Sequence, residues 1–278
     1  MFFYAVRGRD ILLWLVGVLV IVFGVSLCIT PGWEPTHGAA AASIELNEPP
    51  VAVDGFSLEV ISVTAGQKPR RRIYLYHTHT YEAYEQDAAK PYRETEKWRT
   101  ADAEYNMIRV GAELAALLRD AGIEVYHDRT AYEMPRLSTA YARSLLGMEQ
   151  AAKEGYDLYI DLHRDSYSAG NGANTIERQG KQLARLLFLI GKGTGTALDE
   201  KPDWQKNQAA AEKISARLNA QAAGLSRGIS LKSGRYNQQA AVPSMLIEVG
   251  NNKNTLQEAL NAMPCLAQAI CAYFDALE

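Results

Sequence analysis

Residues 158–165 read Leu-Tyr-Ile-Asp-Leu-His-Arg-Asp, an apolar run that ends in a histidine, an arginine and an aspartate. Two other segments have the same form, since Ile-Tyr-Leu-Tyr at 73–76 runs into His77 and Met-Leu-Ile at 245–247 runs into Glu248. Short apolar runs of this kind predict buried strands. Because the carboxyl ends of parallel strands share one edge of a sheet, these polar side chains are expected to meet in one crevice.

Helical segments separate these strands and indicate the fold class. Apolar side chains recur at helical spacing in residues 103–120, 138–153 and 207–222, and terminal helices after Asn254 are expected to be interrupted at Pro264. Strands separated by helices of this length predict an α/β fold, a mostly parallel sheet with helices on both faces. Further predicted strands are residues 123–126, 186–190 and 229–232, and the strand that contains residues 245–247 is predicted over 244–249.

Composition excludes several classes of protein. The 278 residues are 47% hydrophobic and 22% charged, with a net charge of -3, which is ordinary for a folded globular chain. Disordered, collagenous and strongly nucleic-acid-binding proteins are therefore excluded. The three cysteines, Cys28, Cys265 and Cys271, are too few and too badly spaced for a disulfide framework or a zinc ribbon.

The N-terminus predicts a membrane anchor. Residues 11–30 carry no charge and are long enough to cross about 30 Å of hydrocarbon as a helix. Arg7 and Arg9 precede this segment, so residues 1–10 are expected in the cytoplasm and the rest of the chain outside. A cleaved signal peptide is the alternative, but the chain around Cys28 has no small-x-small cleavage site.

The extracytoplasmic part divides into two regions. Residues 31–70 contain Pro-Pro and Lys-Pro pairs and no sustained helical period, which predicts a stem. One short strand, at residues 56–63, is expected in the stem. Residues 71–278 contain the other strands and helices predicted after the anchor and form the expected catalytic domain. The resulting localisation is the cell membrane, with one span and the catalytic domain outside.

The strand ends carry the residue types of a zinc site. His79 and Glu82 are three residues apart, and His163 supplies a third ligand from another strand. Two histidines and a carboxylate leave a fourth zinc position for water, which is typical of catalytic zinc. His77 is an alternative to His79, because strand alternation points both imidazoles the same way. Taken singly, a histidine at a strand end is more often a hydrogen-bonded structural residue.

Glu248 predicts a catalytic carboxylate. It lies within the apolar run 245–249, where an unpaired buried charge costs several kcal/mol, so it must face a partner or a wet site. Beside a zinc ion, it would act as general base for the bound water and return the proton to the leaving amine. The structural alternative is an ion pair with an arginine.

At these residues the chain resembles the stage II sporulation protein P family, bacterial cell-wall hydrolases related in fold to zinc amidases and zinc exopeptidases. The similarity covers residues 71–278. It implies a zinc-dependent N-acetylmuramoyl-L-alanine amidase that acts on peptidoglycan during engulfment in sporulation, with endopeptidase-like activity and a partner that trims denuded glycan strands. The matching segments are IYLYHTHTYEAY at 73–84, the run at 99–128, YIDLHRDS at 159–166, RYNQ at 235–238 and LIEVGNNKNTLQEAL at 246–260.

The resemblance also implies roles for particular residues. It makes His79 and His163 zinc ligands and Glu248 the catalytic carboxylate. The third protein ligand is Glu82, by its three-residue offset, or Asp102, four residues before an asparagine that opens the first helix. Glu82 is the favoured choice.

Other residues near these motifs have weaker expectations. Arg164, a candidate catalytic residue, and its neighbour Asp165 are expected to orient His163 or to clamp the substrate. Residues 236–238 are expected either to bind substrate or to cap a turn. A zinc carboxypeptidase acting on stem peptides is an alternative function, with Arg164 or Arg235 gripping the terminal carboxylate. A catalytically inactive wall-binding scaffold is a third. The short stem leaves open a role outside engulfment and different contacts with other sporulation membrane proteins.

Overall fold

The computed structural model describes residues 70–166, 174–195 and 199–278. The predicted anchor at residues 11–30 and the predicted stem, apart from its last residue, lie outside this part of the chain. Among the described residues, no helix combines the length and the apolar character that a membrane span requires.

Eight strands and four α-helices make up the described chain. The strands are β1 (Arg72–Tyr76), β2 (Glu124–His127), β3 (Leu158–Asp165), β4 (Thr175–Arg178), β5 (Lys181–Ala184), β6 (Leu186–Gly191), β7 (Ser226–Lys232) and β8 (Ser244–Asn251). The helices are α1 (Met107–Asp120), α2 (Ala140–Glu154), α3 (Trp204–Gln221) and α4 (Leu256–Asp275), with a short 3-10 helix at Leu137–Thr139.

Six strands form one sheet in the order β2-β1-β3-β8-β6-β7. Every neighbouring pair is parallel except β8 and β6, which confirms the mostly parallel sheet. The antiparallel β6 has a topological cause. A parallel strand needs a helical crossover to return the chain to the starting edge. No helix lies between β3 and β6 in the described chain, so β6 starts at the edge where β3 ends.

Helices cover both faces of this sheet, as predicted. The larger core lies under α1, α3 and α4 and is built from alternate residues of the central strands, among them Leu75, Ile160 and Ile247. On the opposite face, tyrosines of β1 and β3 pack against Met148 and Ala151 of α2. Asp161 and His163 follow Tyr159 on this second face of β3, toward the carboxyl end of the strand.

The hairpin formed by β4 and β5 was not expected from the sequence. Its turn is Gln179-Gly180, and both residues have positive φ values of 52° and 73°. A two-residue turn of this kind fits the right-handed twist of a hairpin, and glycine adopts it without steric cost. The hairpin lies in the connection from β3 to β6.

The prediction that the terminal helices are interrupted at Pro264 is wrong. Helix α4 runs without a break from Leu256 to Asp275 and includes Pro264, which lies on its exposed side. A proline inside a helix costs about 3 kcal/mol. Burial of the other side, which includes Met263, Leu266 and Ile270, outweighs that cost. At the start of the helix, Thr255 and Glu258 form a reciprocal capping box.

Candidate active site

The candidate site lies at the carboxyl ends of β1, β3 and β8, on the face that α2 covers. His163 of β3 and Glu248 of β8 are paired in register. Residues opposite each other on neighbouring strands project from the same face, so these two side chains enter the site together. His163 is buried and Glu248 is partly buried, which places the site at the boundary between core and solvent.

His79 and Glu82 reach the same place from the turn that follows β1. The ring centroids of His79 and His163 are 5.3 Å apart, and the two planes are nearly perpendicular. The Oε2 atom of Glu82 lies 3.4 Å from Nδ1 of His163. The three predicted ligands, which are up to 84 residues apart in the sequence, are therefore neighbours in the fold.

Asp102, the alternative third ligand, is directed elsewhere. Its side chain is exposed, and Oδ1 accepts a hydrogen bond from the backbone N–H of Glu104 at 3.0 Å. Asn106 caps α1 by accepting a hydrogen bond from the N–H of Ile108. The geometry brings Glu82, and not Asp102, next to His163.

The expectation that His77 and His79 point the same way is wrong. The Nδ1 atom of His77 lies 2.9 Å from the carbonyl oxygen of Leu162, and its Nε2 atom lies 2.8 Å from Nε2 of His127. Strand alternation does not extend to this pair, because β1 ends at Tyr76 and a turn begins. His77 is therefore a buried structural residue, and His127 is its partner.

Charge interactions within the site shift several pKa values. Burial alone would raise the pKa of Glu82, but His163 and Arg164 lower it to about 2. Burial alone would lower the pKa of His163, but the carboxylates of Asp161 and Glu82 raise it well above its usual range. His79 behaves differently, since burial and the charge of His163 lower its pKa to about 4.

Glu248 carries an unpaired carboxylate. Its Oε2 atom is buried and has no hydrogen-bond partner. Over the described ranges Glu248 forms no ion pair with an arginine or lysine. The alternative prediction, that Glu248 forms a structural ion pair with an arginine, is therefore wrong for this part of the chain. Burial is the main reason that the pKa of Glu248 rises to about 8. A carboxylate in this state can exchange a proton near neutral pH.

Arg164 is occupied by the protein itself. Its Nε atom donates to the carbonyl of Ala83 at 2.9 Å, and Nη2 donates to the carbonyl of Trp98 at 3.2 Å. Its backbone N–H donates to Oε2 of Glu82 at 3.2 Å. The guanidinium therefore holds the segment that carries Glu82, and its role toward His163 or substrate stays a prediction. Asp165 is paired with Arg227 at 3.0 Å.

Residues 236–238 divide into a surface tyrosine and two buried amides. Asn237 donates to the backbone oxygen of Tyr141 and to Ser144, and Gln238 bonds the backbone of β6. The ring of Tyr236 lies 5.8 Å from that of Tyr141, which in turn lies 5.6 Å from His79. Of the three, Tyr236 alone borders the site.

Three further residues border the site and were not predicted. Tyr141 comes from α2, and Glu133 comes from the loop before it, with Oε2 at 3.7 Å from Nδ1 of His79. Glu133 is also bound by Arg99 and by the N–H of Tyr81. Asp161 lies beneath His163. Of these, only Asp161 had a sequence signal, as a carboxylate inside the apolar run of β3.

The donor types fit zinc, although the side chains do not form a closed ligand group. Over residues 70–166, 174–195 and 199–278, no three His, Cys, Asp or Glu side chains are arranged to hold a metal ion. Two observations nevertheless fit a cation. The Nδ1 atom of His79 is buried without a hydrogen-bond partner, and Glu82, with a pKa of about 2, is an ionised carboxylate beside His163. Nitrogen and carboxylate donors in this number are those of open zinc sites.

These features define an α/β protein with a site of two histidines and two carboxylates at the carboxyl edge of its sheet. The sequence profile of the stage II sporulation protein P (SpoIIP) family matches residues 39–271. The chain belongs to this family. Stage II sporulation protein P of Bacillus subtilis (strain 168) is 26% identical over 227 residues, which are 77% of this chain and 53% of that protein. The chain thus matches about half the length of this relative.

Solved structures of amidases are similar at low identity. An N-acetylmuramoyl-L-alanine amidase from Clostridium difficile 630 has a TM-score of 0.46 and 14% identity, covering 74% of this chain and 96% of that one. The CwlD amidase from Clostridioides difficile, solved in complex with the GerS lipoprotein, has a TM-score of 0.48 and 13% identity, covering 74% and 98%. Similarity at this level does not extend to particular residues.

Proposed function

We propose that this protein is a membrane-anchored, zinc-dependent peptidoglycan hydrolase of sporulation that cleaves the amide between N-acetylmuramic acid and L-alanine. The observation that carries the proposal is the unpaired carboxylate of Glu248 beside His79, Glu82 and His163. Membership of the SpoIIP family supports a role in sporulation. The amide bond is the one that the resemblance of the HTH-x-x-E, LHRDS and LIEVGN motifs implies.

His79, Glu82 and His163 would hold the metal, which leaves one position for the reacting groups. When bound there, zinc would supply Lewis acidity, which polarises the scissile carbonyl and makes water more acidic. Arg164 contributes by holding the Glu82 segment through the carbonyls of Ala83 and Trp98. It is a positioning residue in this proposal.

Glu248 would move the proton. In its ionised form it accepts a proton from the attacking water, and the resulting carboxylic acid donates it to the departing amine nitrogen. Its position on β8, in register with His163, aims the carboxylate at the same space as the candidate ligands. Tyr141 and Tyr236 border that space and would exclude water from one side of the substrate.

Mass spectrometry of the products from purified peptidoglycan tests the proposed bond. The wild-type protein should release peptides that begin with a free L-alanine amine and leave glycan strands with unsubstituted lactyl groups. Cuts inside the stem peptide would indicate endopeptidase activity. Loss of only a terminal D-amino acid would favour the carboxypeptidase alternative and would contradict the amidase proposal.

The variant Glu248→Gln separates chemistry from binding. Glutamine keeps the shape of the side chain and removes the base, so hydrolysis should fall about 10²- to 10⁴-fold. Zinc content and sedimentation with peptidoglycan should stay as in wild type, because other residues provide them. Glu113→Gln, on the surface of α1 and paired with Arg109, is the matched control and should hydrolyse at the wild-type rate. Wild-type hydrolysis by Glu248→Gln would refute the assigned role.

The membrane anchor is a separate part of the proposal. It rests on the uncharged residues 11–30 and on Arg7 and Arg9 before them. A C-terminal tag should be digested when intact protoplasts are treated with protease, and the protein should stay in the membrane fraction. Protection of the tag would reverse the topology. In this location, other sporulation membrane proteins and glycan-trimming enzymes are the expected partners.

A further inference from the structure

We propose that Asp161 is a positioning residue of the candidate site, which holds the His163 ring with Nδ1 toward Glu82 and steadies the turn that carries His79. This inference rests on the proposed zinc site, and it adds to that site a buried carboxylate that would not touch the metal. It predicts which nitrogen of His163 binds the ion.

Asp161 is placed for this role by the sheet. It lies two residues before His163 in β3, so both side chains leave the strand on the same face. It is only 1% exposed, and its neighbour across the sheet is Tyr76, the last residue of β1. A carboxylate this deeply buried is costly unless several donors satisfy it.

The donors come from both segments that carry candidate ligands. The backbone N–H of Thr78 donates to Oδ1 of Asp161 at 2.8 Å, and the Thr78 hydroxyl donates to Oδ2 at 2.7 Å. The Nε2 atom of His163 lies 2.8 Å from Oδ1, at the distance of a charged contact but without the angle of an aligned hydrogen bond. One carboxylate thus contacts the His163 ring and the residue directly before His79.

A chain of hydroxyl groups gives the carboxylate a fixed orientation. The Nδ2 atom of Asn237 can only donate, and it lies 2.9 Å from the Ser144 hydroxyl. The Ser144 hydroxyl lies 2.9 Å from that of Thr78, which donates to Asp161. Because an ionised carboxylate can only accept, the Thr78 hydroxyl gives its proton to Asp161, and the Ser144 hydroxyl, which also lies 3.4 Å from the carbonyl of Tyr141, is then the donor to Thr78. Asp161 is therefore the end of a directed network that links α2 and residue 237 to the site.

The orientation of the His163 ring follows from these contacts. Nε2 of His163 faces Oδ1 of Asp161 at 2.8 Å and Nδ1 faces Oε2 of Glu82 at 3.4 Å, so both ring nitrogens lie beside carboxylates. Because Glu82 is a proposed ligand and Asp161 is held by Thr78, an ion bound next to Glu82 would take Nδ1 and leave the proton on Nε2. A histidine ligand that donates its second N–H to a carboxylate has a fixed tautomer and a more basic ligating nitrogen. His163 would accordingly bind zinc through Nδ1 and keep its proton on Nε2.

The first test measures zinc affinity by chelator competition on the detergent-solubilised full chain. Asp161→Asn should bind zinc about 10- to 100-fold more weakly than wild type, the usual loss when a supporting partner of a ligand is removed. Asp157→Asn is the matched control, because Asp157 also accepts a backbone N–H from β1, that of Arg72, but at the opposite end of β3. This control should keep wild-type affinity. Equal affinity in wild type and Asp161→Asn would overturn the inference.

If Asp161→Asn does not fold, Thr78→Val replaces it. Valine keeps the shape and the backbone donor and removes only the hydroxyl that bonds Oδ2, so zinc affinity should fall by a smaller factor in the same direction. An unchanged affinity in a folded Thr78→Val protein would then contradict the inference.

The second test is nitrogen NMR of His163 in the zinc-bound protein. There Nε2 should be protonated and Nδ1 metal-bound, and the reverse pattern would overturn the inference.

A third measurement needs no metal. The backbone N–H of Thr78, which donates to Oδ1 of Asp161, should exchange with solvent faster in Asp161→Asn than in wild type, because an amide oxygen is a weaker acceptor than a carboxylate. Equal exchange in both proteins would overturn the inference. A wild type that binds no zinc would refute the proposed function, and the exchange rate of Thr78 would still decide the role of Asp161.

Discussion

Two pairs of histidines lie near the carboxyl ends of the first three strands and have opposite surroundings. In the structural pair, His77 and His127, the Nε2 atoms are 2.8 Å apart, and Nδ1 of His77 faces the carbonyl of Leu162. In the site pair, His79 and His163, the ring centroids are 5.3 Å apart, close to the 5.1 Å of the structural pair, but no hydrogen bond joins the two rings among the described contacts. The structural pair bonds to itself and to backbone, whereas the site pair faces carboxylates.

The protons of the structural pair can be assigned from its contacts. A carbonyl oxygen only accepts, so Nδ1 of His77 carries a proton and its Nε2 is the acceptor for the Nε2–H of His127. Burial lowers the pKa of His77 to about 4 and that of His127 to about 3, which keeps both rings neutral. Both ring nitrogens of His77 thus have hydrogen-bond partners, and neither is available to bind a metal ion.

Carboxylates make the difference at the site pair. Asp161 and Glu82 approach the two nitrogens of His163 at 2.8 and 3.4 Å and raise its pKa well above the usual range. Glu248 adds a further acidic group with no partner of its own. A histidine at a strand end is therefore informative about function only when its acidic neighbours are known.

The largest expected effect is on zinc content, and paired alanine variants measure it. The double variant His79→Ala, His163→Ala should lose its zinc, from about one ion per chain to none, together with hydrolysis, because two of three ligands are gone. The double variant of His77 and His127 should keep its zinc and lose about 2–5 kcal/mol of stability through the cavity it creates. Elemental analysis and denaturant unfolding distinguish the two. Equal zinc in wild type and the first variant would refute the site.

The next effect tests which carboxylate completes the site. Glu82→Gln should weaken zinc binding by more than the roughly 10- to 100-fold that removal of a supporting partner causes, because it removes a charged ligand. Asp102→Asn should leave the affinity unchanged, since the Asp102 side chain is exposed and bonds the turn at Glu104. Chelator competition at one pH compares both variants. The opposite result would make Asp102 the ligand and would require the turn to rearrange.

Most strands and helices could be predicted because the apolar pattern reports which side of each element is buried. The direction of β6 could not, since it depends on the connection from β3 and on the hairpin at Gln179-Gly180. The sequence also did not predict that helix α4 continues through Pro264. The effect of Pro264 depends on how much apolar surface its neighbours bury, and that is a property of the packed structure.

The same distinction applies to the site. His79, Glu82, His163 and Glu248 could be proposed because each lies in or after an apolar run, and the fold brings them together. Their chemical roles remain predictions. Partners such as Glu133 and Tyr141 come from a loop and a helix surface, where a single sequence carries no period that would single them out.

The smallest effect concerns the space between the structural pair and helix α1. A methyl group added at Gly111 would meet Nε2 of His77 at 2.6 Å and Nε2 of His127 at 2.7 Å. Alanine is favoured over glycine inside a helix by about 1 kcal/mol. Overpacking in a rigid core costs about 1–3 kcal/mol. The cost should outweigh the gain, because the His77 ring is buried and bonded at both nitrogens.

Gly111→Ala should therefore reduce the free energy of unfolding by about 1 kcal/mol, while zinc content stays unchanged, since the structural pair does not touch the proposed ion. The control is the same substitution in a His127→Ala background. Removal of that ring opens space, so Gly111→Ala should become neutral or stabilising there, and a double-mutant cycle from urea unfolding gives the coupling between the two residues. If Gly111→Ala destabilises both backgrounds equally, the close approach of α1 to the histidine pair is not what requires glycine at this position. If it removes zinc instead, the two pairs are coupled and the contrast between them fails.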